Sequence, residues 1–270
     1  MKPAQSVQPT PATDATPFDD GALYDLVCGN IDFDLIFYRT LAQAAHGPVL
    51  EVACGTGRIL LPCLKGGVDI EGLDLFPGML TRLREKATAL GFNPKLYQTN
   101  MAGFRVERRF AMIMITFNAF IHNLTADDQL ATLKACREHL LPGGMIVFDT
   151  AFPGQQWIGA PSGTRALEGE FAHPETGLPV RMWDTRTFDR VKQLQHSFNE
   201  IEMLDASGKV VATHSSRTTL RWIYKTEMEL LLRLAGFARW EILGDFDGRP
   251  LVNETDSMIV KAWIPSDAAS

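Results

Sequence analysis

Cysteine is scarce in this chain of 270 residues. Cys28, Cys54, Cys63 and Cys136 are the only ones, with no C-x-x-C pair and no histidine at metal spacing beside them. A disulfide framework and a Cys/His metal centre are therefore excluded as organising features. The four thiols read as small reduced core residues of a cytoplasmic protein. Apolar runs of membrane-spanning length are missing too. So is any positive excess: 26 Lys and Arg stand against 32 Asp and Glu, a net charge of −6, with no block of like sign. That is the wrong sign for a surface built to neutralise phosphates, and nucleic acid is not an expected partner. No G-x-S-x-G nucleophile elbow and no internal repeat occur. Met1 to Asp19 holds one early Lys2 but no apolar stretch, which argues against a secretory signal. Its Pro, Thr, Gln and Ala content predicts a disordered tail over residues 1–20. Apolar residues are plentiful at 46%, enough to fill the core of one large domain or of a domain with an insertion.

The most informative stretch runs from Val49 to Leu75. Val49-Leu50-Glu51-Val52 is apolar enough for a buried parallel strand ending near Ala53. Gly55 and Gly57 follow, a helix opens at Arg58-Ile59-Leu60-Leu61, and a second buried run from Val68 to Leu73 ends on Asp74. Strand, glycine turn, helix, strand and terminal acid make half of a dinucleotide-type α/β unit. A nicotinamide or flavin site calls for a third glycine where this chain has Leu60. Glu51, just before the turn, would also serve an anionic pyrophosphate poorly. A phosphate-free ligand carrying sulfonium and ammonium cations tolerates that acid, and Asp74 is placed to accept from two ribose hydroxyls.

Glu51-x-x-Cys54-Gly55-Thr56-Gly57-Arg58 with Asp74 resembles the first two motifs of class I S-adenosylmethionine-dependent methyltransferases. Motif order extends the resemblance over about residues 30–150, and more loosely over 226–264. It implies S-adenosylmethionine as cofactor and an α/β fold: a Rossmann-like, doubly wound, seven-stranded sheet. Glu51, Ala53, Cys54, Gly55, Gly57, Arg58, Asp74, Leu75, Asn100 and Met101 are the cofactor-binding residues it implies. The glycines and the backbone near Ala53 would hold the methionyl part and Asp74 the ribose. Leu75 would lie against adenine, with Asn100 near its amino group. The family usually carries Asp at the position of Asn100, so the charge is missing here.

In chain order, residues 21–46 carry helical spacing (Leu23, Tyr24, Val27, then Phe33, Ile36, Phe37, Tyr38, Leu41), with Asp32 or Asp34 as a cap and Gly47-Pro48 as a stop. Pro77 opens a helix whose apolar face is Leu80, Leu83, Ala87 and Leu90. Lys95 to Gln98 reads as a short strand and Phe110 to Phe117 as a central one, delivering Asn118 to Asn123 at its carboxyl end, where open α/β sheets bind ligands. Thr125 caps the next helix, with Leu130, Leu133 and Leu140 on one side. Leu141-Pro142-Gly143-Gly144 breaks it before a strand from Met145 to Asp149. From 152 to 225 helical spacing gives way to alternation (181–186, 194–204, 210–224), with a hairpin turn at Asp205-Ala206-Ser207-Gly208. This predicts an antiparallel β insertion before the last helix, acting as a lid or a dimerisation subdomain within an α/β domain formed by 21–151 and 226–270. A helix from Glu227 to Ala235, a strand from Arg239 to Leu243 and a final strand from Met258 to Ile264 complete the chain.

Methyl transfer asks a protein to align the acceptor, to exclude water and to accept at most one proton. His122 is the candidate base, since free imidazole titrates near neutrality. Asn118-Ala119-Phe120-Ile121-His122 also resembles the Asn-Ser-Phe-x-His stretch of glycine N-methyltransferases, and sugar-amine N,N-dimethyltransferases share the layout with an inserted β-sheet. Tyr24 and Asn118 join His122 as candidate acceptor-side residues, and no metal constellation is present. In the insertion, Arg181, Arg186, Arg217 and Arg221 with Trp183, Trp222 and Tyr224 could recognise an anionic or planar acceptor. By alternation Arg217 and Arg221 share a face that is either an acceptor wall or an exposed or dimer surface. The expectation is methyl transfer to nitrogen or oxygen of a small soluble acceptor. Its rivals are a catalytically idle S-adenosylmethionine-binding protein and a nicotinamide-dependent oxidoreductase.

Overall fold

A computed structural model describes residues 15–266. Most of the expected tail, residues 1–14, lies outside the described part. Two helices come first, α1 (Gly21–Cys28) and α2 (Leu35–Ala44), followed by β1 (Val49–Val52), α3 (Leu60–Lys65), β2 (Ile70–Asp74), α4 (Pro77–Ala89), β3 (Leu96–Gln98) and β4 (Phe110–Ile115). After a 3-10 turn (Ala119–His122) come α5 (Ala126–Glu138), β5 (Leu140–Ala151) and the short α6 (Gln155–Ile158). Four long strands follow: β6 (Arg165–Ala172), β7 (Pro179–Asp189), β8 (Leu194–Leu204) and β9 (Val210–Arg221). The chain closes with α7 (Lys225–Ala235), β10 (Arg239–Leu243) and β11 (Ser257–Trp263).

Seven strands form one sheet in the order β10-β11-β5-β4-β1-β2-β3. β1 pairs in parallel with β2 and with β4, and β4 with β5, whereas β11 runs antiparallel to both β5 and β10. Every residue of β1 and β2 is buried, as a parallel sheet covered on both faces requires. One apolar layer packs α5 and α7 against the sheet through Leu133, Cys136, Leu231 and Leu232. The other packs α2, α3 and α4 through Tyr38, Leu60, Leu80 and Leu83. Strand order reverses between β1 and β4, so their carboxyl ends frame the crevice where doubly wound sheets hold ligands.

The second sheet has the order β6-β7-β8-β9, with β6 and β7 paired antiparallel. Two compact units result, one of residues 18–160, 188–195 and 219–266, the other of 15–17, 161–187 and 196–218. In the smaller unit the Arg217 N–H donates to the Ala15 carbonyl (2.9 Å). No helix among the described residues is long and apolar enough to cross a membrane.

Several local expectations are corrected. Leu90 is 41% exposed, and Met79 takes its place on the buried face of α4. Pro142-Gly143-Gly144 does not separate helix from strand but lies inside β5, where the pairing with β4 slips between Phe110 and Met112. Leu140, expected on the helix, belongs to that strand. β4 stops at Ile115 rather than Phe117, because Phe117 and Asn118 both adopt left-handed backbone (φ 59° each). β6 was not expected at all: most of its residues are exposed, so no alternation marks it.

Candidate active site

The turn after β1 is built by its glycines. Gly55 (φ +52°) faces open space, with nothing within 4 Å of the place a Cβ would take. A Cβ on Gly57 (φ +85°) would come within 2.2 Å of Leu83 on α4, so this glycine lets the helix close onto the turn. Ala53 is also left-handed (φ 55°). Cys54 fastens the bend, its N–H donating to the Leu73 carbonyl (2.9 Å) while its thiol is buried. Asp74, at the end of β2, reaches across: Oδ2 accepts from the Gly55 N–H (2.8 Å) and Oδ1 from the Phe76 N–H (2.9 Å). Each carboxylate oxygen keeps a lone pair for a further donor. Burial raises the pKa of Asp74 above the ordinary carboxylate range, against the pull of those two amides.

Glu51 is 2% exposed. Its Oε1 accepts from the Thr116 hydroxyl (3.0 Å), and its Oε2 is buried without a partner. Burial pushes its carboxyl up to about 8, opposed by the Thr116 hydrogen bond and the charge of Arg58. Arg58 is not free to neutralise it. Both terminal nitrogens of Arg58 are held by the two oxygens of buried Asp34, one also donates to the Ile31 carbonyl (3.0 Å), and the guanidinium lies over the Phe117 ring (4.6 Å). Asp34 does stand at the head of α2, but it makes no capping bond; tertiary pairing has taken its side chain.

Tyr24 joins this group from α1, in electrostatic reach of Arg58, Asp74 and Glu51. Burial holds its hydroxyl far above the usual range, so it stays protonated. Neighbouring Asp25 binds the turn to the helices: its Oδ1 accepts from the Thr56 hydroxyl (2.6 Å) and Lys86 (2.8 Å), and its Oδ2 from Arg82 (2.9 Å). His122 ends the 3-10 turn after β4, edge-on to Phe18 with ring centres 5.1 Å apart, and Phe18 also stacks on Phe76 and Tyr24. Burial pushes the imidazole down to about 4, below the free value from which its candidacy as a base was argued. Leu75 is 48% exposed beside Asp74. The Asn100 amide oxygen accepts from the Ala102 N–H (2.8 Å), and Met101 meets Asn123, whose amide nitrogen lies 3.2 Å from its sulfur.

Asp149 was not foreseen. At the end of β5, 2% exposed, it accepts from the Tyr38 hydroxyl (2.6 Å), the Phe117 N–H (2.8 Å) and the Asn118 N–H (2.8 Å). The one sequence signal was an acid at the carboxyl end of a central strand, on the edge where such sheets bind ligands. The insertion's arginines depart from expectation in the other direction. Arg181 pairs with Glu170, Arg186 with Glu168 and Asp184, and Arg221 is buried, donating to Gln129 (2.6 Å), Gln193 (3.2 Å) and Glu227 (2.6 Å). Arg221 therefore shares no exposed face with Arg217, whose guanidinium lies over the Phe198 ring (5.0 Å).

The sheet order, the glycine turn and the acid closing β2 agree with what the chain matches, since residues 49–144 fit the methyltransferase domain family. Residues 49–144 form a methyltransferase domain, and the chain resembles class I S-adenosylmethionine-dependent methyltransferases. Among curated relatives, dTDP-3-amino-3,4,6-trideoxy-alpha-D-glucopyranose N,N-dimethyltransferase of Streptomyces venezuelae is 33% identical over 116 residues, 43% of this chain and 46% of that protein. A second, dTDP-3-amino-3,6-dideoxy-alpha-D-glucopyranose N,N-dimethyltransferase of Streptomyces fradiae, is 31% identical over 138 residues, 47% of this chain and 51% of that protein. The chain thus spans about half the length of these curated relatives. The CcbJ methyltransferase from Streptomyces caelestis shares the fold, with a TM-score of 0.76 at 24% identity over 94% of this chain and 100% of that one.

The residues present suit the methyltransferase cofactor. A buried carboxyl oxygen without a donor beside an open glycine turn favours a cationic ligand and penalises a polyphosphate. Leu60, fully buried where a nicotinamide site needs glycine, points the same way.

Proposed function

We propose that the protein methylates an amine nitrogen of a small soluble molecule, using S-adenosylmethionine held at the carboxyl ends of β1 and β2. Asp74 binds the ribose hydroxyls, Glu51 compensates the cationic methionyl end, Leu75 lies against adenine and the Gly55 turn admits the ligand's backbone-facing side. When bound, the cofactor supplies a methyl carbon activated by its sulfonium. The protein contributes position and dryness. Phe18, Phe76 and Phe117 keep water from the acceptor face, while Tyr24, Asn118 and His122 orient the acceptor.

The observation that carries nitrogen over oxygen is that neither acceptor-side titratable group serves as a base near neutrality. Tyr24 is held protonated, and His122 is a weak base without a carboxylate partner among the described residues. An unionised alcohol would need a stronger proton acceptor than either. A neutral amine already carries its lone pair and needs only alignment. The likeness to two sugar-amine dimethyltransferases supports an amino sugar as the first acceptor to test.

The test is incubation of the purified protein with S-adenosylmethionine and matched amino and hydroxy sugars, read by mass spectrometry. Methylated amine with untouched alcohol is the expected result; transfer to hydroxyl alone would overturn the reading. His122→Ala should lower kcat about tenfold and leave no lost pH limb near 6.5, whereas removing a general base typically costs about 10²–10⁴-fold.

A further inference from the structure

The carboxyl end of β4 is held in an unusual backbone conformation by a buried residue of the neighbouring strand, Asp149. Phe117 and Asn118 are consecutive non-glycine residues, both left-handed, where β4 gives way to the turn that ends on His122. Each such residue is disfavoured by contact between its Cβ and the backbone, and two together persist only where something fixes them. Both N–H groups point at one carboxylate, Phe117 donating to Asp149 Oδ1 and Asn118 to Oδ2, at 2.8 Å each. Tyr38, fully buried on α2, donates to the same Oδ1 at 2.6 Å and fixes the carboxylate's rotation. Asp149 is therefore a fork that two amides grip and a phenol steadies.

We propose that Asp149 is the positioning residue of the acceptor site: it holds the Phe117–Asn118 turn left-handed and so sets Asn118 and His122 at the carboxyl end of β4. This rests on the reading of that edge as the acceptor face. Asn118 hangs on the fork directly, and its carbonyl accepts from Ile121 within the 3-10 turn that ends on His122 (3.2 Å). Phe117 carries the Arg58 guanidinium on its ring, so the same fork also backs the Asp34–Arg58 pair. Around Asp149 the titratable and charged groups are Tyr38 and Asp34 from α2 and, through Asp34, Arg58. On β11 the residue opposite is Ile259, and the flanking β4 residue is Ile115. Burial raises the Asp149 carboxyl to about 6, with the hydrogen bonds from Tyr38 and Asn118 opposing, so protonation falls within reach of mild acid. A protonated Asp149 keeps too few acceptor positions of the right charge for all three donors, and the turn loosens.

Two independent readouts test this. In protein labelled with nitrogen-15 and with carbon-13 at aspartate, the Asp149 carboxyl and the Phe117 and Asn118 amides should titrate together near pH 6. Asp149→Asn should abolish that titration, and Tyr38→Phe should raise its midpoint, since the lost phenol hydrogen bond favours the ionised carboxylate; a midpoint that falls or stays would overturn the phenol's part in the fork. Amides that ignore the carboxyl would overturn the proposal whether or not an acceptor is found. With the amino sugar as acceptor, Asp149→Asn should lower its kcat/KM at least about tenfold and remove the acid limb near 6. S-adenosylmethionine affinity should stay within about twofold by calorimetry. Equal losses of cofactor affinity and turnover would reduce Asp149 to a general structural role and overturn the assignment.

Discussion

The small unit and the crevice of the larger one treat their acids in opposite ways. In the smaller one, carboxylates meet arginines: Glu168 with Arg186, Glu170 with Arg181, and Glu200 and Glu202 with Arg165. In the larger one, Glu51, Asp74 and Asp149 are buried with no cation bonded to them, and burial raises the pKa of all three. Elsewhere in that unit acids do meet cations, Asp25 with Arg82 and Lys86, Glu71 with Arg108 and Asp256 with Arg249, and Asp34 removes Arg58 from the crevice acids. The ion pairs of the small sheet are part-exposed, and such pairs contribute little to stability. These crevice carboxyls have no cation of their own and hold their protons more tightly than free carboxyls do, so a bound cation would favour their ionised forms.

The largest effect should come from Asp74→Ala. It removes the ribose acceptor and orphans the Gly55 and Phe76 amides, and loss of such charge-assisted bonds costs roughly 1.5–3 kcal/mol. Calorimetry should therefore show S-adenosylmethionine affinity falling by about 10- to 100-fold. A change within twofold would mean that the acid closing β2 does not bind the ligand.

Glu51→Gln sharpens the contrast, because it should weaken cofactor binding about tenfold yet stabilise the free protein. The folded pKa of about 8 stands above the ordinary 4.5, so the native state holds the proton more tightly than the unfolded chain. Stability contributed by that proton is present at low pH and is lost as pH rises from about 4.5 to about 8. Thermal melts should accordingly show the Gln variant gaining a few degrees at pH 8.5, with the gain vanishing below pH 5. A variant less stable than the parent at pH 8.5 would show that Glu51 is compensated in the free protein.

The smallest effect belongs to Arg165→Ala in the small sheet. Its partners are part-exposed, so stability should change by less than about 1 kcal/mol and cofactor affinity not at all. Loss of turnover in that variant would break the comparison and make the sheet part of acceptor recognition.

What could be read from the chain was whatever is local and periodic. β1, the glycine turn, β2 and Asp74 are contiguous, and each apolar run there is buried on both faces, so composition reports the structure directly. Thr125 capped its helix as expected because a cap is a contact across three residues. Asp34 looked like a cap by position, but its partner Arg58 lies 24 residues away, which no spacing rule encodes. Asp149 was invisible for the same reason: its donors come from α2 and from the end of β4. β6 escaped because a strand exposed on both faces has no pattern to detect. Arg221 was misplaced because alternation along β9 does not register that its end enters the buried junction with α7.

The most direct test is calorimetric titration with S-adenosylmethionine at pH 7 in two buffers of different ionisation enthalpy. At that pH Glu51, with its carboxyl near 8, is largely protonated in the free protein, and an arriving cation should favour its ionised form. Saturable one-to-one binding with release of close to one proton, lost in Glu51→Gln, is the predicted result. No binding, or NAD binding in the same crevice, would contradict it.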